Sequence, residues 1–511
     1  MFSSVLSAVP RGMNVEFVHV EADTSNGLPM FHMVGYLSSE VKEAGERVKT
    51  AIRNADMCLQ TKKVVVNLSP ANVRKRGASF DLPIAVAILA SQGLVKGEML
   101  QQVLIVGELS LDGQVQKVSG VLPMVDAACK MGYDICIVPR GNASEGALVK
   151  EAKVIGVETL KEVCDYLNGK SCSEPKVWKK TRNVKEAEKT TLGDYRDIQG
   201  QETVKRATEV AVAGGHNLLL IGPPGSGKTM IAKRIPTIFP PLSLEEGMEI
   251  TKVYSIMGLI DKDCPLITDR PFREVHHMVT KSSLMGGGVL PRPGEMSLAS
   301  GGVLFLDELA EFQRGVLEVL RQPMEEGVVR MSRRQESYVF PADCMIVAAM
   351  NPCLCGYYPD YNRCTCTESQ IHNYLNRISQ PFLDRIDICV EASKVAYEEL
   401  TETNPSESSD QIRRRVCKAR EIQRKRYQHT GHSTNEKLTL QELNQHCHLG
   451  VKQEQMMKQA FTTYGLTART YHKLLKVART IADLEGAKQI EMPHLREAIG
   501  YRTMDRKYWG R

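Results

Sequence analysis

The chain has 511 residues, a formal net charge of +6 and 14 cysteines. That length exceeds what one hydrophobic core serves and calls for about three domains. The hydrophobic and charged fractions, 42% and 25%, are those of an ordinary soluble globular chain, and so mild a charge does not by itself identify a nucleic-acid binder. The first ten residues lack a basic segment followed by a long apolar one, and the apolar run at 82–90 is too short to cross a bilayer and contains Pro83. A cytoplasmic protein with no membrane partner is expected. Most cysteines, among them Cys129, Cys136, Cys344 and Cys389, stand singly among apolar residues, as buried free thiols do in a reducing compartment.

In residues 1–170, strand-like runs at 63–68, 103–106 and 135–139 alternate with helical stretches at 80–93 and 121–131. This pattern predicts an α/β or α+β domain. Residues 171–192 are polar and lysine-rich, without apolar period, and read as a linker. A second α/β region is expected over 193–395. The remainder, 396–511, is mainly helical, with a polar insert at 401–410.

The second region opens on a phosphate-binding loop. The apolar run at 218–221 predicts a buried parallel strand. Gly222, Pro223, Pro224, Gly225, Ser226, Gly227, Lys228 and Thr229 follow at once, and a helix is expected from Met230. Strand, glycine-rich loop and helix is the context such a loop requires. The glycines let backbone N–H groups approach phosphates, and the helix N-terminus adds a favourable field. Lys228 is expected on the β- and γ-phosphates of ATP, and Thr229 on Mg²⁺. Downstream, an apolar run from Gly302 ends in Asp307 and Glu308. Asp307 is suited to hold the Mg²⁺ water shell, and Glu308 to orient or deprotonate the attacking water. A third run at 345–350 ends in Asn351, whose polar side chain can position water beside the γ-phosphate.

Two further patterns carry chemistry. Cys353 and Cys355, then Cys364 and Cys366, form two close pairs in a loop rich in Gly, Pro, Tyr and Asp. Four thiolates suit one tetrahedral structural Zn²⁺, so about one zinc per chain is expected; free buried thiols are the alternative. Residues 412–426 carry eight basic side chains against one acid, Glu421. At helical spacing Ile412, Val416, Ala419 and Ile422 or Gln423 make one buried face. The basic groups then either contact phosphates of nucleic acid or form a solvated helix face. Arg330, Arg333 and Arg334 offer a second such contact.

The three nucleotide-site elements, in this order, resemble those of AAA+ ATPases. The segments 276–288 and 291–299 resemble the helix-2 insert of magnesium-chelatase I-type and MCM-like members. The segment 326–340, with Gly327 between extended runs, resembles their pre-sensor hairpin. The stretches 67–72, 80–85 and 107–109 resemble the YifB/ComM group of magnesium-chelatase-like proteins. This resemblance implies an α/β multidomain fold: a Lon-protease-like α/β domain, an AAA+ parallel sheet with helices on both faces, and a C-terminal helical lid. It implies that Arg385 acts on a neighbour's γ-phosphate in a ring, a homo-hexamer, and that Arg469 contacts the nucleotide from the lid. It raises the zinc expectation for the cysteine pairs. It also implies a helicase that promotes branch migration, with single-stranded or branched DNA as partner. A chelatase-like or protein-remodelling ATPase is the alternative.

Residues 60–140 also resemble the proteolytic domain of Lon, which uses a serine and a lysine. Ser79 lies near the serine position, but Leu122 occupies that of the lysine, and Lys117 and Lys130 stand at the wrong offsets. A leucine cannot accept a proton, so an inert domain is expected rather than a protease.

Overall fold

The computed structural model describes residues 1–72, 74–170, 193–333, 336–394 and 407–510, with backbone alone at 333, 336, 505 and 506. The linker expected at 171–192, Arg334, the side chain of Arg333 and most of the insert at 401–410 lie outside the described residues. The chain divides into two compact units: residues 1–184 with 244–267 and 332–339, and residues 185–243, 268–331 and 340–511.

The first unit is built on a seven-stranded mixed sheet. Phe2–Arg11 and Asn14–Ser25 form an antiparallel hairpin whose turn contains Gly12 at φ 63°. Lys63–Ser69 pairs antiparallel to the second of these strands. On the other side Val103–Ile105, Ile135–Pro139 and Lys153–Val157 follow in parallel. The helix Asp81–Ser91 is buried at every position, which explains why its sequence is apolar all round rather than striped. At its head Asp81 is buried and receives both Nε (2.9 Å) and Nη2 (3.0 Å) of Arg47; a charge taken out of water needs such a fork.

The second unit contains a five-stranded, wholly parallel sheet in the spatial order Phe272–Val275, Val303–Leu306, Met345–Met350, Leu218–Ile221, Ile388–Glu391. Leu218–Ile221, Val303–Leu306 and Met345–Met350 are buried throughout, as continuous apolar runs in a covered parallel sheet should be. The strand Leu218–Ile221 comes first in sequence, yet it lies between the fourth and fifth. Such an order opens a crevice at the carboxyl ends of the strands.

The C-terminal helices Ser409–Arg426, Val451–Tyr464, Ala468–Leu484 and Met492–Gly500 share one apolar core with this sheet. Ser409–Arg426 buries Ile412, Val416, Ala419 and Gln423. Gln423 takes the last position over Ile422 because its amide donates to the Ala213 carbonyl at 3.1 Å. Among the described residues no helix is long and apolar enough to cross a membrane.

Gly327 does not stand between extended runs. It closes the helix Arg321–Glu326 in the left-handed conformation, φ 66°, and the hairpin strands Val328–Arg333 and Glu336–Pro341 come after it. A residue that ends a helix this way favours glycine because a Cβ would be strained there.

A candidate nucleotide site and a cysteine cluster

The loop after Leu218–Ile221 leads into the helix Lys228–Arg234 through Gly225 and Gly227, at φ 74° and 81°. A Cβ on Gly222 would stand 2.2 Å from the Ala392 carbonyl oxygen, so the loop root requires glycine. The Lys228 amine turns back on its own loop. It donates to the carbonyls of Gly222 (2.8 Å) and Pro223 (2.9 Å) and lies 3.4 Å from Ser226 Oγ and 3.2 Å from Asn351 Oδ1. Burial lowers its pKa to about 8, and the Asp307 carboxylate partly offsets this. The direct contacts of this ammonium are all neutral oxygens, so an anion in the loop would suit it better.

Thr229 Oγ1 donates to Asp307 Oδ2 at 2.9 Å. Asp307 Oδ1 accepts the Glu308 N–H at 2.9 Å, and Glu308 has φ 54°. A non-glycine residue in the left-handed region stores backbone strain, a feature that clusters at functional sites. Lys228, Asp307, Glu308, Glu311, Met350, Asn351, Leu354 and Tyr374 line one cavity at the carboxyl ends of three strands. A threonine hydroxyl beside a carboxylate, facing an amine in a loop of N–H groups, is a donor set that fits Mg²⁺ and a polyphosphate.

Arg385 and Arg469 do not line this cavity. Both meet Glu325 on the helix Arg321–Glu326. Arg385 is 9% exposed and also donates to the Arg321 and Pro381 carbonyls, at 3.0 and 2.6 Å.

The Sγ atoms of Cys353, Cys355, Cys364 and Cys366 lie within 4.8 Å of one another, and all four cysteines are free. Cys353 is 3.3 Å from Cys355 and 3.8 Å from Cys364, and Cys355 is 3.5 Å from Cys364. Tetrahedral zinc with Zn–S near 2.3 Å needs sulfurs about 3.8 Å apart, so the set fits that ion. Burial would raise the Cys355 thiol, but N–H groups of Tyr357 and Thr365 and the neighbouring thiols bring it down to about 6. The Tyr358 N–H also donates to Cys353 Sγ at 3.4 Å. Backbone donors aimed at sulfur favour the thiolate form that a metal requires.

In the first unit Leu122 is fully buried on the helix Val121–Lys130, and Ser79 is half-buried, its carbonyl accepting the Gly107 N–H at 3.0 Å. The basic residues of Ser409–Arg426 are largely engaged within the chain. Arg415 forks onto Glu407 and reaches Glu209, Arg426 holds Asp483, and Arg420 donates to the Val212 carbonyl. Arg413 and Arg414 pair with Asp410, and Lys425 with Glu421. Arg330 pairs with Glu326 at 3.0 Å.

Glu311, Leu354 and Tyr374 were not singled out from the sequence, and His276 and His277 only as the start of the segment 276–288. Leu354 had a local signal, standing between two cysteines that follow Asn351. The others reach the site through strand pairing and helix packing, which leave no mark on nearby residues.

The sheet order, the loop on its first strand and the C-terminal helices are those of the P-loop AAA+ class, and the first unit is a Lon-like α/β domain. Family models described as magnesium chelatase subunit ChlI match residues 20–142 and 194–400, and its C-terminal model matches 406–502. Competence protein ComM of Haemophilus influenzae is 42% identical over 510 residues, 98% of this chain and 97% of that protein. The uncharacterised protein YifB of Escherichia coli is 40% identical over 508 residues, 99% of this chain and 97% of that one. A Lon protease of Trichlorobacter lovleyi is 27% identical over 161 residues, 29% of this chain and 19% of that protein. The chain belongs to the YifB/ComM family of magnesium-chelatase-like AAA+ proteins.

Proposed function

We propose that the chain hydrolyses ATP as one subunit of a hexameric ring motor that works on single-stranded or branched DNA. The observation that carries the ATPase reading is the convergence of Lys228, Asp307, Glu308 and Asn351 on one cavity, with Thr229 bonded to Asp307. In this reading Lys228 exchanges its loop carbonyls for β- and γ-phosphate oxygens, while N–H groups of 222–229 cradle the rest. Mg²⁺, held by Thr229 and Asp307, would neutralise phosphate charge during transfer. Glu308 orients or deprotonates the attacking water, and Asn351 positions it. Arg385 acts on the γ-phosphate of the neighbouring subunit, and Arg469 contacts nucleotide from the helical lid. The cysteine loop holds one structural Zn²⁺, and the free thiols suit a cytoplasmic setting. The Lon-like domain, with Leu122 where a lysine is needed, serves as scaffold.

The DNA part is supported by the competence protein among the relatives and by Lys418 and Arg424 on the basic helix. The pairing of most other bases on that helix with Glu209, Glu407, Asp410, Glu421 and Asp483 favours a second reading, in which the motor remodels a protein partner. The test is ATP hydrolysis and strand separation on forked and three-stranded DNA at several salt concentrations. Stimulated hydrolysis with salt-sensitive binding is expected; neither effect would leave the protein-partner reading.

A further inference from the structure

Apart from the cysteine loop, one other group of metal-capable side chains draws together among the described residues. His276, His277 and Glu308 bring their ligand atoms within 4.8 Å of one another. The sheet causes this. Val275 pairs with Leu306 in the parallel ladder, so the residues leaving one strand end lie beside those leaving the other. The two imidazoles stack with centroids 4.1 Å apart and planes inclined at 36°. His277 Nδ1 is 3.2 Å from Glu308 Oε2, yet it is buried and not aligned for a hydrogen bond. A shielded ring nitrogen that faces a carboxylate oxygen without sharing a proton with it is placed as one ligand faces another across a cation.

We propose that His276, His277 and Glu308 form a second metal site, selective for zinc-like transition ions, and that its occupation stops ATP hydrolysis. Two imidazoles and one carboxylate suit Zn²⁺, Co²⁺ or Ni²⁺, with a water in the open position. Mg²⁺ takes oxygen ligands and dehydrates reluctantly, so the ion that accompanies ATP does not compete for the histidines. Occupation removes the Glu308 carboxylate from the water it would activate. Thr229 and Asp307 are not ligands of this site, so nucleotide binding persists. The inhibitory half rests on the reading of Glu308 given above; the binding half does not.

Co²⁺ is titrated, without nucleotide, into the full chain carrying one equivalent of zinc, enough for the cysteine loop alone, following visible absorption. One equivalent with the d–d bands of nitrogen and oxygen ligation and no thiolate charge-transfer is expected. That equivalent should be lost in the double variant His276→Ala/His277→Ala and weakened at least tenfold in His277→Asn alone. ATP binding and circular dichroism, measured alongside, show that the variants fold. Unchanged Co²⁺ binding in the variants, or binding only with thiolate charge-transfer, overturns the site. In hydrolysis assays with excess Mg²⁺, Ni²⁺ should inhibit wild type at least tenfold more strongly than His277→Asn. If Co²⁺ binds as expected but Ni²⁺ inhibits both proteins equally, the site stands and its control of Glu308 is overturned. Hydrolysis that survives Glu308→Gln instead overturns only the role given to Glu308.

Discussion

Arg385 and Arg469 share one carboxylate oxygen. Arg385 Nη2 lies 2.9 Å from Glu325 Oε1, and the Arg469 guanidinium reaches the same atom. The two arginines read from sequence as acting on nucleotide therefore form one cluster, and neither lines the cavity that holds Lys228. To act on phosphate, Arg385 must also leave the carbonyls of Arg321 and Pro381. If its target belongs to a neighbour, Arg385→Ala should lower kcat by about 10³ with little change in KM, the scale of a transition-state arginine. Mixing Arg385→Ala with Lys228→Ala subunits should then restore part of the activity, since each supplies what the other lacks. No recovery on mixing would assign Arg385 a structural role through Glu325.

Lys228 and Glu308 should separate binding from chemistry. Lys228→Ala removes the one ammonium that lines the cavity among the described residues, and nucleotide affinity should fall at least tenfold while DNA binding is retained. Glu308→Gln keeps size and shape but cannot take a proton; hydrolysis should fall by about 10²–10⁴, the range for a general base, with nucleotide binding intact. Fluorescent nucleotide titration beside steady-state hydrolysis checks both.

The cysteine loop rests on the phosphate loop. A Cβ on Gly356 would come 2.3 Å from Pro224 Cδ, with φ at 83°, and Leu354 lines the nucleotide cavity. A metal that orders Cys353, Cys355, Cys364 and Cys366 therefore also orders one wall of the ATP site. Removing it with a chelator, or by Cys364→Ser, should weaken nucleotide binding about tenfold, the low end of what loss of a supporting outer shell costs a site, and adding Zn²⁺ back to the chelated protein should restore it. Gly356→Ala should weaken binding with zinc content unchanged. Nucleotide affinity indifferent to metal content would separate the loop from the site.

What could be read from the sequence was what is local. Gly222, Gly225 and Gly227 before Lys228 reveal a loop because backbone freedom and charge are needed within a few residues of each other. The apolar run ending in Asp307 and Glu308 and the paired cysteines are local in the same way. The facing of His277 and Glu308 was not legible, since it depends on two strands pairing in one register. The basic helix at 409–426 looked free in sequence because Glu209 and Asp483, which neutralise Arg415 and Arg426, are distant in the chain. Gly327 was read as a hairpin residue because a helix ending and a turn ask for the same left-handed glycine.

The last prediction concerns pH and the first unit. Glu145 is 4% exposed, and burial pushes its carboxyl up to about 7, against hydrogen bonds from Asn142, Ser255 and the N–H groups of Val121 and Leu122 that favour the charged form. Ser255 Oγ and Asn142 Nδ2 both approach Glu145 Oε1 at 3.4 Å. An unfolded glutamate titrates near 4.3, so folding takes up a proton between that value and about 7. Stability from this group is therefore complete below about 4.3 and lost as pH rises through about 7. The full swing is about 4 kcal/mol at most, less where water reaches the group. Amide exchange of the helix Val121–Lys130, whose first N–H groups point at this carboxylate, should quicken between about pH 4.5 and 7 beyond the intrinsic rate. Glu145→Gln, which cannot ionise, should remove that excess. An excess that persists in Glu145→Gln would assign the pH dependence to another group.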